Sequence, residues 1–244
     1  MTKTIDPPVC IALDVSGLDE AKRLVDELAE LVPVFKVGLQ LFTAVGPAAV
    51  EAVHAADREV FLDLKVGDIP QTAIGAVRSA SGLGVRFLTI NSSGGREMVK
   101  AAVEAAEGGT NILVVTALTS LNDDSLAEIG IGRSISEQVD AMAALAAEEG
   151  APGITLGAGE VARVRSAHPG LFLLVPGIRP AGAELGDQKR VGTPAAVVAD
   201  GADLMVLGRA VTQAPEPARA LEAVLAEIAA PERSGSKKGV RVEP

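Results

Sequence analysis

Eight short apolar runs, each followed by a longer amphipathic stretch, repeat along almost the whole chain, and this alternation constrains the fold more than any other feature. The runs are 9–14, 34–37, 60–65, 86–90, 111–116, 153–156, 171–175 and 204–207. Short β-rich runs joined by helix-length segments pair in parallel, with the helices covering the sheet. The stretch 18–31 carries Ala21, Leu24, Val25, Leu28 and Leu31 on one face, and 215–228 carries Ala218, Leu221, Ala223 and Leu225. Eight βα units in about 230 residues match a single-domain (β/α)8 TIM barrel, which takes ~250. An open doubly wound sheet would alternate in the same way, but its glycine-rich signature is absent after the first strand, where the sequence reads LDVSGLDE. One domain over 1–230 is expected, followed by a polar, aperiodic and flexible tail over 231–244. The stretch 120–136 reads as a small extra helical segment.

Composition excludes several functions. The apolar run 111–118 is far short of the roughly 20 residues that span a bilayer, so no membrane protein is expected. The start, MTKTIDPPVCIALD, lacks the pattern of a secretory signal, and a cytoplasmic location is expected. A lone cysteine, Cys10, can form neither an internal disulfide nor a thiolate metal site. With 22 basic against 32 acidic side chains the net charge is −10, which opposes a nucleic-acid partner. Aromatic residues make up 2%, with no Trp and no Tyr, so a nucleobase would be read by hydrogen bonds rather than stacking. The two histidines, His54 and His168, are far apart and read as surface or helix-end residues, not as zinc ligands or a catalytic triad.

In such a barrel the chemistry sits at the C-terminal ends of the strands. Strand one ends at Asp14, strand two carries Lys36, and strand three ends in Asp63, Lys65 and then Asp68. Strand four leads into Asn91, Ser92 and Ser93, and strand five into Thr116, Thr119 and Ser120. Strand seven runs into Pro176, Gly177 and Arg179, and strand eight into Gly208 and Arg209. Taken singly, these read as solvated strand ends and surface turns. Together they give seven of eight strand ends a polar group at one mouth. Asp63 and Lys65, two apart on a strand, share a face with Phe61, while Leu62 and Leu64 point out under the helices. With Lys36 they form an alternating charge array suited to keeping Lys65 protonated beside a carboxylate. Arg209 after Gly208, with Arg179 and Gln188 in a long Gly- and Pro-punctuated loop, suits an anion such as phosphate.

These residues resemble the orotidine 5′-phosphate decarboxylase family. The matching pieces are ALDV at 12–15, FKVG at 35–38, FLDLKxxDIPxT at 61–72, SGG at 93–95, LTS at 118–120, PGIRP at 176–180, GDQKR at 186–190 and GRAVTQ at 208–213. The combination of DIP, PGIRP and GDQ is the specific part; related sugar-phosphate barrels share the Asp-Lys-Asp triplet. The resemblance implies decarboxylation of orotidine 5′-monophosphate (OMP) to uridine 5′-monophosphate (UMP) without metal or cofactor. Lys65 would deliver a proton to C6 of the pyrimidine, Asp63 would sit against the substrate carboxylate, and Lys36 would bridge the ribose hydroxyls and the array. Asp68 and Thr72 would reach into the other subunit's site, making a homodimer with shared active sites. Asp14 would bind ribose, Thr119 or Ser120 the pyrimidine, and Pro176, Arg179, Gln188, Gly208 and Arg209 would line or hold the phosphate end.

The chain departs from the family pattern at Val66 and Gly67, where an apolar then a polar residue is common, at Gln71, where Asn is usual, and at Asn91, where His is frequent. Two alternatives stand beside the decarboxylase reading. Magnesium-dependent sugar-phosphate decarboxylases and aldolases share the triplet but place an acidic ligand on strand two, where Lys36 would repel a cation. A silent nucleotide-binding protein would keep only the phosphate grip, and the intact Asp63, Lys65 and Asp68 argue against it.

Overall fold

The computed structural model describes residues 5–179 and 192–229. Its eight parallel strands close into a barrel in sequence order. The strands are β1 (Val9–Ala12), β2 (Val34–Gly38), β3 (Glu59–Val66), β4 (Phe87–Asn91), β5 (Asn111–Val115), β6 (Gly153–Thr155), β7 (Phe172–Val175) and β8 (Leu204–Leu207). The helices are α1 (Leu18–Leu28), α2 (Leu39–Val45), α3 (Ala48–His54), α4 (Pro70–Gly82), α5 (Gly95–Ala105), α6 (Asp123–Glu128), α7 (Ile135–Glu148), α8 (Val161–Ala167), α9 (Pro194–Ala199), α10 (Arg209–Thr212) and α11 (Pro217–Ala229). The described barrel runs from β1 to α11, and the segment 231–244 lies outside the described residues.

Two apolar layers hold it together. Inside, Cys10, Val34, Phe61, Phe87, Leu113, Phe172, Leu174 and Leu204 pack on one another, with Phe87 stacked on Phe172 at a 5.1 Å centroid separation. Outside, Ile11, Phe35, Leu62, Leu88 and Val114 face the helices, where Leu24, Leu28, Val77 and Met98 meet them. Strand alternation sorts residues between these layers, so Phe61 falls inside and Leu62 outside, as the period of two predicts.

Boundaries move where the backbone finds other partners. Strand one stops at Ala12 rather than residue 14, although the Leu13 N–H still donates to the Lys36 carbonyl at 2.9 Å before the chain turns away. The first helix ends at Leu28, three residues before the expected Leu31, which still packs partly on the outer layer. Segment 120–136 does contain an extra helix, α6, capped by the Asn122 side chain on the Ser125 N–H. It also holds the start of α7, where Ser134 and Glu137 form a reciprocal capping box. His54 lies in the last turn of α3 and His168 follows α8, both the bland helix-end positions expected.

Candidate active site

The strand ends open on a cavity of about 650 Å³ at one mouth of the barrel. Ala12, Phe61, Leu174 and Val206 contribute apolar surface to it. The neighbouring strands β1, β2 and β3 bring Asp14, Lys36, Asp63 and Lys65 together on its wall. Thr119 and Ser120 line it after β5, Pro176, Gly177 and Arg179 after β7, and Gly208 and Arg209 after β8. Asp68 and Thr72 are exposed and do not line the cavity; the Asp68 carboxylate accepts the Ile69 N–H at 2.7 Å. Gln188 and Pro180 lie outside the described residues. Three polar lining residues were not read as site residues from the sequence: Thr155 at the end of β6, and Gln40 and Gln213. Thr155 supplies the polar group at the one strand end that lacked a candidate.

The charges alternate as expected. Lys65 Nζ donates to both Asp63 carboxylate oxygens at 2.8 Å. Lys36 Nζ lies 2.8 Å from Asp14 Oδ1 and 3.7 Å from Asp63 Oδ2. Asp63 is little exposed, and burial alone would raise its pKa. The Lys36 and Lys65 charges, with hydrogen bonds from Lys65 and Thr89, outweigh that and hold the carboxyl below its ordinary value. Lys36 obeys the converse balance: burial favours the neutral amine, but Asp14 and Asp63 prevail and raise its pKa. Beneath them burial pushes the Cys10 thiol well up, with Lys36 opposing, which leaves it protonated and inert. Gly38 makes room for the pair above β2, since a Cβ there would stand 2.8 Å from Lys36 Nζ and 2.9 Å from Asp14 Oδ1.

Lys65 departs from the simple two-residue alternation. The β3–β4 register runs from Leu62 opposite Leu88 to Val66 opposite Ile90, so β3 bulges between them. Within the bulge Lys65 takes a φ of 50°, a left-handed conformation that costs a non-glycine residue about 1–3 kcal/mol. Such strain persists only where surrounding contacts over-determine it. Here the Thr89 hydroxyl of β4, which accepts the Lys65 N–H, and the Asp63 carboxylate, which accepts its Nζ, supply those contacts. The resulting site pairs a fixed ammonium with a fixed carboxylate at one end, and brings guanidinium groups from the adjoining β7 and β8 ends to its lining. The Arg179 backbone N–H donates to the Gly192 carbonyl at 3.0 Å, beside a bridge between Ile178 and Gly192, and its guanidinium donates to the Ile178 carbonyl at 2.9 Å. The first arrangement can place a proton on a developing carbanion; the second can grip a phosphate.

Comparison with known proteins agrees with this fold. Residues 7–224 fit the model of the "Orotidine 5'-phosphate decarboxylase / HUMPS family". The orotidine 5′-phosphate decarboxylase of Thermobifida fusca is 46% identical over 91% of this chain and 95% of its own length. That of Anaeromyxobacter sp. strain K is 48% identical over 90% of this chain and 97% of its own. Among solved structures, orotidine 5′-phosphate decarboxylase from Lactobacillus acidophilus superposes with a TM-score of 0.80 at 31% identity, covering 92% of this chain and 100% of that one. Barrel, charge array and sequence thus converge, and the chain belongs to the orotidine 5′-phosphate decarboxylase / HUMPS family.

Proposed function

We propose that this chain is an orotidine 5′-phosphate decarboxylase, a carboxy-lyase that converts OMP to UMP and carbon dioxide. The observation that carries the reading is the Lys65 ammonium held at 2.8 Å from both oxygens of Asp63 within the cavity that Arg179 and Arg209 also line. The bond between C6 of the pyrimidine and its carboxylate breaks, carbon dioxide leaves, and the electron pair stays on C6. Lys65 stabilises that charge, donates its proton to C6 and regains one from solvent. Asp63 faces the substrate carboxylate, a repulsion that the departure of carbon dioxide relieves. Lys36 and Asp14 hold the ribose, Thr119 or Ser120 meets the pyrimidine, and Arg179, Arg209 and Gly208, with Gln188, hold the phosphate. Binding energy from that remote phosphate orders the site around the reacting carbon.

The chain uses no metal or cofactor in this reading. Asp14 and Asp63 already face ammonium groups, and Lys36 occupies the strand-two position where a magnesium site needs an acid. Among the described residues no group of three or more His, Cys, Asp or Glu side chains is placed to hold a metal ion. The working unit is a homodimer with shared sites, a reading supported by Asp68, Ile69 and Thr72 lying exposed together beyond the cavity. No helix among the described residues is long and apolar enough to cross a membrane. A single buried thiol suits the reducing cytoplasm. The test follows ultraviolet absorbance as purified protein meets OMP, with and without a chelator. Chelator-insensitive loss of the substrate spectrum is expected; an unchanged spectrum, together with magnesium-dependent turnover of a sugar phosphate, overturns the reading.

A further inference from the structure

Thr89 lies in the middle of β4, fully buried, and is not part of the cavity lining. It sits between the last regular pairing of β3 with β4, Leu62 opposite Leu88, and the resumption of pairing at Val66 opposite Ile90. Its one hydroxyl therefore faces the bulge, and there it makes two bonds of opposite sense. It accepts the Lys65 backbone N–H at 2.9 Å and donates to Asp63 Oδ1 at 2.8 Å. The first bond satisfies an amide that the broken ladder leaves without its strand partner, at the residue with a φ of 50°. The second occupies a lone pair of the carboxylate that Lys65 Nζ grips. A single hydroxyl thus ties together the backbone of the proton donor and the side chain of its partner.

We propose that Thr89 is a positioning residue for the decarboxylation, its hydroxyl fixing the strained Lys65 backbone and the Asp63 carboxylate in one register without touching substrate. This rests on the function proposed above. Threonine suits the task because its methyl fills the buried strand position while the hydroxyl bonds. Valine keeps the shape and loses both bonds; serine keeps both bonds and loses the methyl. Alanine loses methyl and hydroxyl alike, so the pairs Thr/Val and Ser/Ala each isolate the hydroxyl against its own packing background.

The experiment measures kcat and KM for OMP, UMP affinity, and hydrogen exchange of the Lys65 amide in wild type, Thr89→Val, Thr89→Ser and Thr89→Ala. Thr89→Val is expected to lower kcat by about 10²-fold with KM changed less than about threefold, because the loss is in alignment of the reacting group. Thr89→Ala is expected to fall below Thr89→Ser by a similar factor, and the Lys65 amide should exchange roughly tenfold faster wherever the hydroxyl is missing. A kcat for Thr89→Val within threefold of wild type overturns the proposal. So do equal losses in Thr89→Ser and Thr89→Ala, an effect confined to KM, or an unchanged Lys65 amide. Wild type inert toward OMP overturns the functional reading and the positioning of that reaction with it, whereas active wild type beside an equally active Thr89→Val overturns the positioning alone.

Discussion

Asp63 stands between two ammonium groups, 2.8 Å from Lys65 and 3.7 Å from Lys36, and the sign of its pKa shift fixes how acid acts on this site. A carboxyl held below its unfolded value contributes stability above about pH 3.9 that is lost as pH falls through its lower folded value. Lys36 is raised, so its contribution is complete below about pH 10.4 and is lost as pH climbs through its higher folded value. Asp63→Asn is accordingly expected to be less stable than wild type by about 2 kcal/mol at pH 7, with the gap narrowing below pH ~4. Urea unfolding of both proteins at pH 7 and pH 3 checks this, and a gap independent of pH would contradict it. Asp14, Lys36, Asp63 and Lys65 were legible in the sequence because charged residues ending apolar runs stand out. Thr89 was not, because a threonine within FLTIN reads as β-branched strand filler, and only the bulge opposite gives its hydroxyl work. Gln40 and Gln213 carry no charge and sit at helix starts or ends, where polar residues are ordinary.

At the scale of the element, the strands had to appear where the apolar runs are, because a strand buried on both faces has no other composition. The irregularity of β3 left no such trace, since alternation in sequence assumes a regular pleat. Alternation and bulge both place Lys65 at the mouth, but only the bulge explains its strained backbone. β6 has a different constraint. Gly153 faces the inner layer, and a Cβ there would stand 2.7 Å from Phe172 Cβ and 2.9 Å from Leu113 Cδ2, while also meeting the Phe172 carbonyl oxygen. The backbone and Cβ of Phe172 on the neighbouring β7 and the Leu113 side chain on β5 occupy the space a larger residue would need. Gly153→Ala is expected to cost roughly 1–3 kcal/mol through overpacking. A thermal melt equal to that of wild type would show that the barrel interior yields more readily than its packing implies.

For the whole molecule, one closed barrel gathers residues from strands far apart in sequence onto a single cavity, which is how so short a chain brings the Asp63–Lys65 pair and the arginines Arg179 and Arg209 to one lining. The cavity holds every assigned residue among those described except Asp68 and Thr72, whose exposed positions fit a role in a second subunit. If sites are shared, mixing inactive Lys65→Ala and Asp68→Ala proteins should restore about a quarter of wild-type activity, since half the dimers are hybrids and each hybrid has one intact site. No recovery despite demonstrated subunit exchange would contradict sharing. The central claim is that the Lys65 ammonium performs the decarboxylation in a site that otherwise binds nucleotide on its own. The most direct measurement compares wild type and Lys65→Ala for turnover of OMP and for UMP binding under the same conditions, helped by the low ultraviolet background of a chain without Trp or Tyr. The account predicts a loss in turnover on the order of 10⁴-fold or more with UMP binding retained; undiminished turnover by Lys65→Ala would contradict it.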